Sequence, residues 1–313
     1  MVDLNNPTQE DLFPYTPEKI TRFLKFNNYY SFVMRANGSL AMPRDFVFTD
    51  IAKDPHTNIV CLSNPTTTAA GVYEVLATDN SNLEFNLLVD EREFLFRNNC
   101  PYLAVPNLPY KYVMPTMWYL PQGTSIKFLA DQLHVQDVIV GTTHFPATIR
   151  LGGYFVEPPP PEIQSRLFRP MVMVFRHKPI TPSLNPSGSV GADPAFKIQS
   201  LSLPTDRNFL MRKANFCAIK DQSAGAGGGV VVTAYSAEEY CDFTTRISYN
   251  SSFYLTDKTE RTDAIIPYHE LPLEFKKLMK VVGGNTVVVE STFITGSDLL
   301  CNYILVGGVL TIK

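Results

Sequence analysis

Four stretches from the first half of this chain recur in the same order in its second half, and no other feature of the sequence limits its possible folds as sharply. SLAMPRDFVFTDIA (39–52) is echoed by SLSLPTDRNFLMRKA (200–214), and NLEFNLLVDEREFLF (82–96) by CDFTTRISYNSSFYL (241–255). QGTSIKF (122–128) is echoed by GGNTVVV (283–289), and IRLGGYFV (149–156) by ILVGGVLTI (304–312). Pro43 to Pro204 and Gly123 to Gly284 are each 161 residues apart, and Gly152 to Gly307 is 155. A conserved order at conserved spacing implies one structural plan used twice. The last loop differs in detail, with Val281-Val282-Gly283-Gly284 where the first half has Leu120-Pro121-Gln122-Gly123.

That plan is built from strands. The segments 29–36, 45–52, 58–63, 71–77, 83–89, 125–130 and 147–156 are short, rich in β-branched and aromatic residues, and bounded by Gly, Pro, Asn or Asp. Helix is sparse. TPEKITRFLKF (16–26) can start with Thr16 as cap and Pro17 in the first turn, and LEFKKLM (273–279) is a second short candidate. The extended run EPPPPE (157–162) cannot donate to a sheet ladder and separates the halves.

A chain of 313 residues has room for two ordinary cores. The expected organisation is an N-terminal segment with a short helix (1–28), a first domain (29–157), a Pro-rich linker and arm (158–195) and a second domain (196–313). Seven or eight strands per half, with turn signals every eight to twelve residues, fit an all-β fold of two tandem jelly-roll-like β-sandwiches with few short helices.

Composition excludes several functions. A net charge of −3 without long runs of one sign gives no footprint for nucleic acid. No stretch of eighteen apolar residues is present, and the sequence MVDLNNPTQEDLFPY lacks the pattern of a secretory leader, so synthesis in the cytosol is expected. The five cysteines (61, 100, 217, 241 and 301) are scattered, form no C-x-x-C pair and read as reduced residues of strands or core.

Catalytic signatures are missing too. A metal-binding sandwich needs clustered histidines, whereas His56, His134, His144, His177 and His269 stand apart with no H-x-H pair. No G-x-S-x-G turn presents a nucleophile. The acidic clusters Asp90/Glu91/Glu93 and Glu238/Glu239/Asp242 read as solvated turns and strand edges rather than a glycosidase pair. The run GAGGG (225–229) lacks the Lys-Ser or Lys-Thr of a phosphate loop. Neither cofactor nor metal is expected.

One segment asks for a partner. PYLAVPNLPYKYVMPTMWYLPQG (101–123) spaces prolines between aromatic rings, which suits an edge or surface strand whose rings must be covered. Its Tyr102, Tyr110, Tyr112, Trp118 and Tyr119, together with Phe168 and Phe175, are the candidate interface residues. Coverage by copies of the same chain suits a rigid, Pro-spaced surface. A sugar-stacking platform is the alternative.

The run LPQGTSIKF, then a loop, then IRLGGYFV resembles jelly-roll virion structural proteins of bacteriophages. That resemblance implies a non-enzymatic, self-assembling protein located in the virion, either a double jelly-roll capsid protein forming pseudo-sixfold trimers or an auxiliary head or neck protein. Its partners would be further copies and other virion proteins. The alternative under the same resemblance is a tail module that binds a receptor or glycan.

Overall fold

A computed structural model describes residues 25–53, 60–61, 75–76, 83–106, 110–132, 148–159, 169–177, 197–223, 230–234, 243–250, 253–254, 260–261, 273–293 and 299–312. In chain order, the strands of the first half are β1 (Phe26–Arg35), β2 (Ser39–Ala41), β3 (Phe46–Lys53), β4 (Val60–Cys61), β5 (Val75–Leu76), β6 (Leu83–Val89), β7 (Glu93–Phe94), β8 (Phe96–Arg97), β9 (Cys100–Pro101), β10 (Tyr112–Leu120), β11 (Ser125–Gln132) and β12 (Thr148–Val156). They are followed by β13 (Arg169–His177), β14 (Lys197–Ser202), β15 (Arg207–Ser223), β16 (Val230–Ala234), β17 (Phe243–Tyr249), β18 (Phe253–Tyr254), β19 (Glu260–Arg261), β20 (Leu273–Val281), β21 (Thr286–Phe293) and β22 (Leu299–Ile312). A single 3-10 turn at Tyr102–Ala104 is the only helical element among the described residues.

The two sets of strands pair in one order. The first builds a sheet β1-β12-β3-β10 facing a sheet β2-β11-β6-β7, and the second builds β13-β22-β15-β20 facing β14-β21-β17-β18. Inward side chains from the facing sheets interlock in each set, which makes both of them sandwiches. Phe46, Phe48, Ile149 and Leu151 meet Phe85, Leu87, Ile126 and Phe128 in one core. Phe209, Met211, Ile304 and Val306 meet Ile247, Val287 and Val289 in the other. The fold is all-β, as the sequence implies.

The equivalence of the two sets reaches individual hydrogen bonds. Met42 N donates to Thr124 O at 2.9 Å and Gly123 N returns to Met42 O at 2.9 Å; Leu203 N donates to Asn285 O at 2.9 Å and Gly284 N returns to Leu203 O at 3.3 Å. Gly123 and Gly284 hold φ of +84° and +85°, a left-handed conformation that glycine adopts without strain. The turns that differ in sequence, Leu120-Pro121-Gln122-Gly123 and Val281-Val282-Gly283-Gly284, therefore have one shape. Asp90 and Asn250, both at positive φ, each pair in both directions with the opposite strand, at Ser125 and Thr286 respectively.

One sequence expectation changes. Residues 273–279 are not helical: they open β20, where Leu273 and Phe275 pack on the second core and Glu274 is exposed. Leu, Glu, Lys and Met favour helix locally, but the open edge of β15 pairs with this segment and tertiary pairing overrides that preference. The stretch read as linker and arm contains β13, which pairs along its whole length with β22. The other candidate helix, 16–26, lies outside the described residues except for Lys25 and Phe26, and Phe26 opens β1. Residues 178–194 also lie outside them.

The halves share a wall. β13 alternates Met171, Met173 and Phe175 into the second core with Val172 and Val174 into the first, and β22 does the same with Ile304 and Val306 against Tyr303 and Leu305. A sheet buried on both faces needs apolar residues at every position, which explains the unbroken runs MVMVF and YILV. β8 of the first half adds to this sheet as a parallel partner of β13, the one parallel pairing among the described strands.

Candidate assembly face and the seam between the halves

The proline-aromatic segment is mostly turned inward. β10 lies at the edge of its sheet, as suits a strand containing Pro115, and its pairing with β3 shifts between Val113 and Trp118, where that proline cannot donate. Tyr102, Tyr112 and Trp118 are buried in the first core and Phe175 in the second, so these four candidate interface residues present no surface to another copy. Their rings needed cover, and the chain supplies it from its own second half. Tyr110 is 64% exposed and Tyr119 partly so, while Phe168 lies outside the described residues.

The exposed apolar surface is elsewhere. β1 pairs only with β12, leaving its outer edge unpaired among the described strands. Along it Tyr29 is 40%, Tyr30 49% and Val33 52% exposed, and Val113 on the opposite edge of the sheet is 60% exposed. A long apolar edge strand without proline or an inward charge is a template for pairing unless a partner covers it. The sequence marked β1 as a strand but gave no sign that no described residue covers its outer face.

A polar row crosses that face. The Tyr29 hydroxyl donates to Asp50 Oδ1 at 2.8 Å by passing directly over Gly152, where a Cβ would lie 2.0 Å from the hydroxyl oxygen. Lys111 closes the row from the β10 side, 3.5 Å from Asp50 Oδ1 and within hydrogen-bond reach of the Tyr29 hydroxyl. The row ties β1 to β3 and β10 across β12.

The corresponding face of the second half is covered. Gly307 occupies the place of Gly152, and Lys213 that of Asp50, at matching bulges. There Pro115 of the first half packs against Gly307, 3.4 Å from the position of a Cβ, and Lys213 Nζ donates to the Val113 carbonyl. Glu84 lies deeper in this seam, accepting from Tyr303 Oη at 2.6 Å and Arg176 Nη1 at 3.1 Å. Asn98 Nδ2 donates to Val174 O at 3.0 Å, and Val172 N to Leu95 O at 3.0 Å. None of these partners is close in sequence, so no local pattern announced them.

Two lysines are buried in or near the seam. Burial pushes the Lys53 amine down from 10.5 to about 8, opposed in part by the Cys217 and Cys100 thiols; its nitrogen sits 5.1 Å from the centre of the Tyr102 ring. Burial likewise lowers Lys213 to about 8. Between about pH 8 and 10.5 the unfolded chain binds more protons than the folded one, so folded stability rises with pH across that window. Lys53→Met is therefore expected to stabilise the protein at pH 7 by about 1 to 2 kcal/mol, through removal of a buried charge that has no carboxylate partner among the described residues. Urea titrations at pH 7 and pH 10 test this, and a gain that does not shrink at the higher pH contradicts it.

No group of three His, Cys, Asp or Glu side chains suited to a metal occurs among the described residues. Cys100 and Cys217 are buried and form no disulfide. His177 ends β13 in a buried position, and the other four histidines lie outside the described residues. Of the acidic clusters, Asp90 and Glu91 form a turn while Glu93 pairs with Arg169 and lies 3.8 Å from Arg207; the cluster at 238–242 lies outside the described residues. No described helix is long and apolar enough to cross a membrane.

No protein-family model matches the chain, and no curated protein matches it. Among solved structures it is similar to PBCV-1 VP54, as fitted into a reconstruction of the virophage Sputnik, at 11% identity and a TM-score of 0.37, covering 92% of this chain and 96% of that one. It is also similar to the insecticidal delta-endotoxin Cry8Ea1 from Bacillus thuringiensis, at 8% identity and a TM-score of 0.20, covering 89% of this chain. The chain spans about half of that toxin, 55% of its length. The all-β assignment rests on the strand pairing itself.

Proposed function

We propose that this protein is a non-enzymatic structural subunit of a virion shell, organised as two tandem jelly-roll-like domains that assemble with further copies of the chain. The first domain runs over 29–157. The second begins with β13 and continues to the end of 196–313. The observation that carries the reading is the inequality of two equivalent faces. The outer face of β13-β22-β15-β20 is covered by the first half of the same chain, whereas no described residue covers the outer face of β1-β12-β3-β10 at the exposed Tyr29, Val33 and Val113.

A contact already used once between similar units is readily used again between copies. The end of the second half from one chain would cover the exposed face of the next, and such a head-to-tail contact closes into a ring when its rotation permits. Three chains then give six similar units, the pseudo-sixfold trimer that the resemblance to double jelly-roll capsid proteins of bacteriophages implies. Apolar burial and strand addition at β1 supply the stabilisation. The glycan-binding alternative loses most of its platform, because Tyr102, Tyr112 and Trp118 are buried.

Light scattering across a concentration series is expected to show an oligomer for the native chain. Val33→Asp and Val113→Asp, both at exposed positions, are expected to give folded monomers. A native chain that stays monomeric at high concentration, alone and mixed with other virion components, would falsify the reading.

A further inference from the structure

Between the two halves, where β7 and β8 meet the starts of β13 and β15, lies an open cleft of about 490 Å³. Its lining includes four guanidinium groups, from Arg92, Arg97, Arg169 and Arg207, against the single carboxylate of Glu93. Glu93 is engaged by Arg169 and lies 3.8 Å from Arg207, which is also 3.7 Å from Asp206 at the rim. Among the described residues no carboxylate pairs with Arg92 or Arg97, and both are exposed. The cleft thus carries a surplus of positive charge in a chain whose net charge is −3.

The geometry is built rather than incidental. Arg92 follows two residues held at positive φ, Asp90 at 48° and Glu91 at 56°, and its amide is fixed to Val89 O at 3.0 Å. The backbone before Arg97 is held by the buried Asn86 side chain, which donates to Phe96 O at 2.9 Å and accepts from Phe96 N at 3.2 Å. Phe94, 53% exposed, adds aromatic surface to the same cleft, behind which Trp118 is largely buried. Guanidinium forks beside ring faces recognise carboxylates carried on a chain with apolar side chains. A nucleic acid would ask instead for a stripe of cations following successive phosphates.

A segment of that composition exists in the protein. Residues 1–15, MVDLNNPTQEDLFPY, hold three carboxylates at Asp3, Glu10 and Asp11, no Lys or Arg, and the apolar groups Leu12, Phe13 and Tyr15. Residues 16–24, which join it to Lys25, can span up to about 30 Å. We infer that the cleft is a docking site for an acidic chain segment and that residues 1–15 of this protein supply that segment. The inference is independent of the shell assignment and is read on the unassembled chain.

The test uses the full chain with its own segment neutralised (D3N, E10Q and D11N) and a fluorescent peptide of residues 1–15, followed by anisotropy at low salt. Saturable binding is expected, weakened at least about tenfold by adding Arg92→Glu and Arg97→Glu. A peptide carrying the three neutral substitutions is expected not to bind. Arg92→Gln with Arg97→Gln provides a milder second pair, and thermal melting checks that each variant is folded. Binding that is indifferent to the arginines, or no binding at about millimolar peptide, overturns the inference. So does a short oligonucleotide that binds through these arginines while the peptide does not.

Discussion

Gly153→Ala and Gly308→Ala are each expected to destabilise the fold by about 3 kcal/mol or more, among the largest losses a single methyl group can cause. A Cβ at Gly153 would lie 2.0 Å from the Val47 carbonyl oxygen and 2.8 Å from two carbons of the Phe46 ring. One at Gly308 would lie 2.1 Å from the Leu210 carbonyl oxygen and 2.7 Å from two carbons of the Phe209 ring. In both halves a phenylalanine lies across the glycine beside a bulge, so backbone and ring would have to move together. The control is Gly123→Ala, whose Cβ meets nothing within 4 Å but whose φ of +84° strains an alanine. It should cost only about 1 kcal/mol. Chemical denaturation separates the two effects, and equal losses at Gly123 and Gly153 would show that crowding is not the cause.

The second large effect lies in the seam. Glu84→Ala removes the acceptor for both Tyr303 Oη and Arg176 Nη1 and is expected to cost about 3 kcal/mol, because the guanidinium is left in a largely buried site without its carboxylate. Glu84→Leu combined with Arg176→Met should recover most of the loss, since a matched apolar pair has no charge to desolvate. A double-mutant cycle by urea unfolding measures the coupling. If the two single substitutions simply add, the pair contributes nothing beyond its separate parts.

These effects fall where the sequence was unevenly informative. The duplicated Gly-Gly strands and the Pro43/Pro204 turns were legible because backbone geometry demands particular residues at particular spacings. The double-sided wall was also written in the sequence, as MVMVF and YILV, but an unbroken apolar run does not say what covers each face. The same ambiguity applied to Tyr112 and Trp118. A ring buried by the same chain and a ring buried by a neighbour are chemically alike, so local sequence could predict that they are covered but not by what. Glu84 and Arg176 lie far apart along the chain, and only the fold brings them together.

The shared wall also orders events during synthesis. The first core is lined by Val172 and Val174 from β13, Cys217 from β15, and Tyr303 and Leu305 from β22. A ribosome releasing this chain from its N-terminus must therefore pass β22, far beyond β12, before the first half can bury its apolar side. Until then the nascent chain exposes sticky surface and depends on contacts of long sequence separation, which form slowly. The architecture that binds the halves together in the finished subunit thus makes the earlier half wait for the later one, a period in which a holdase chaperone has something to bind.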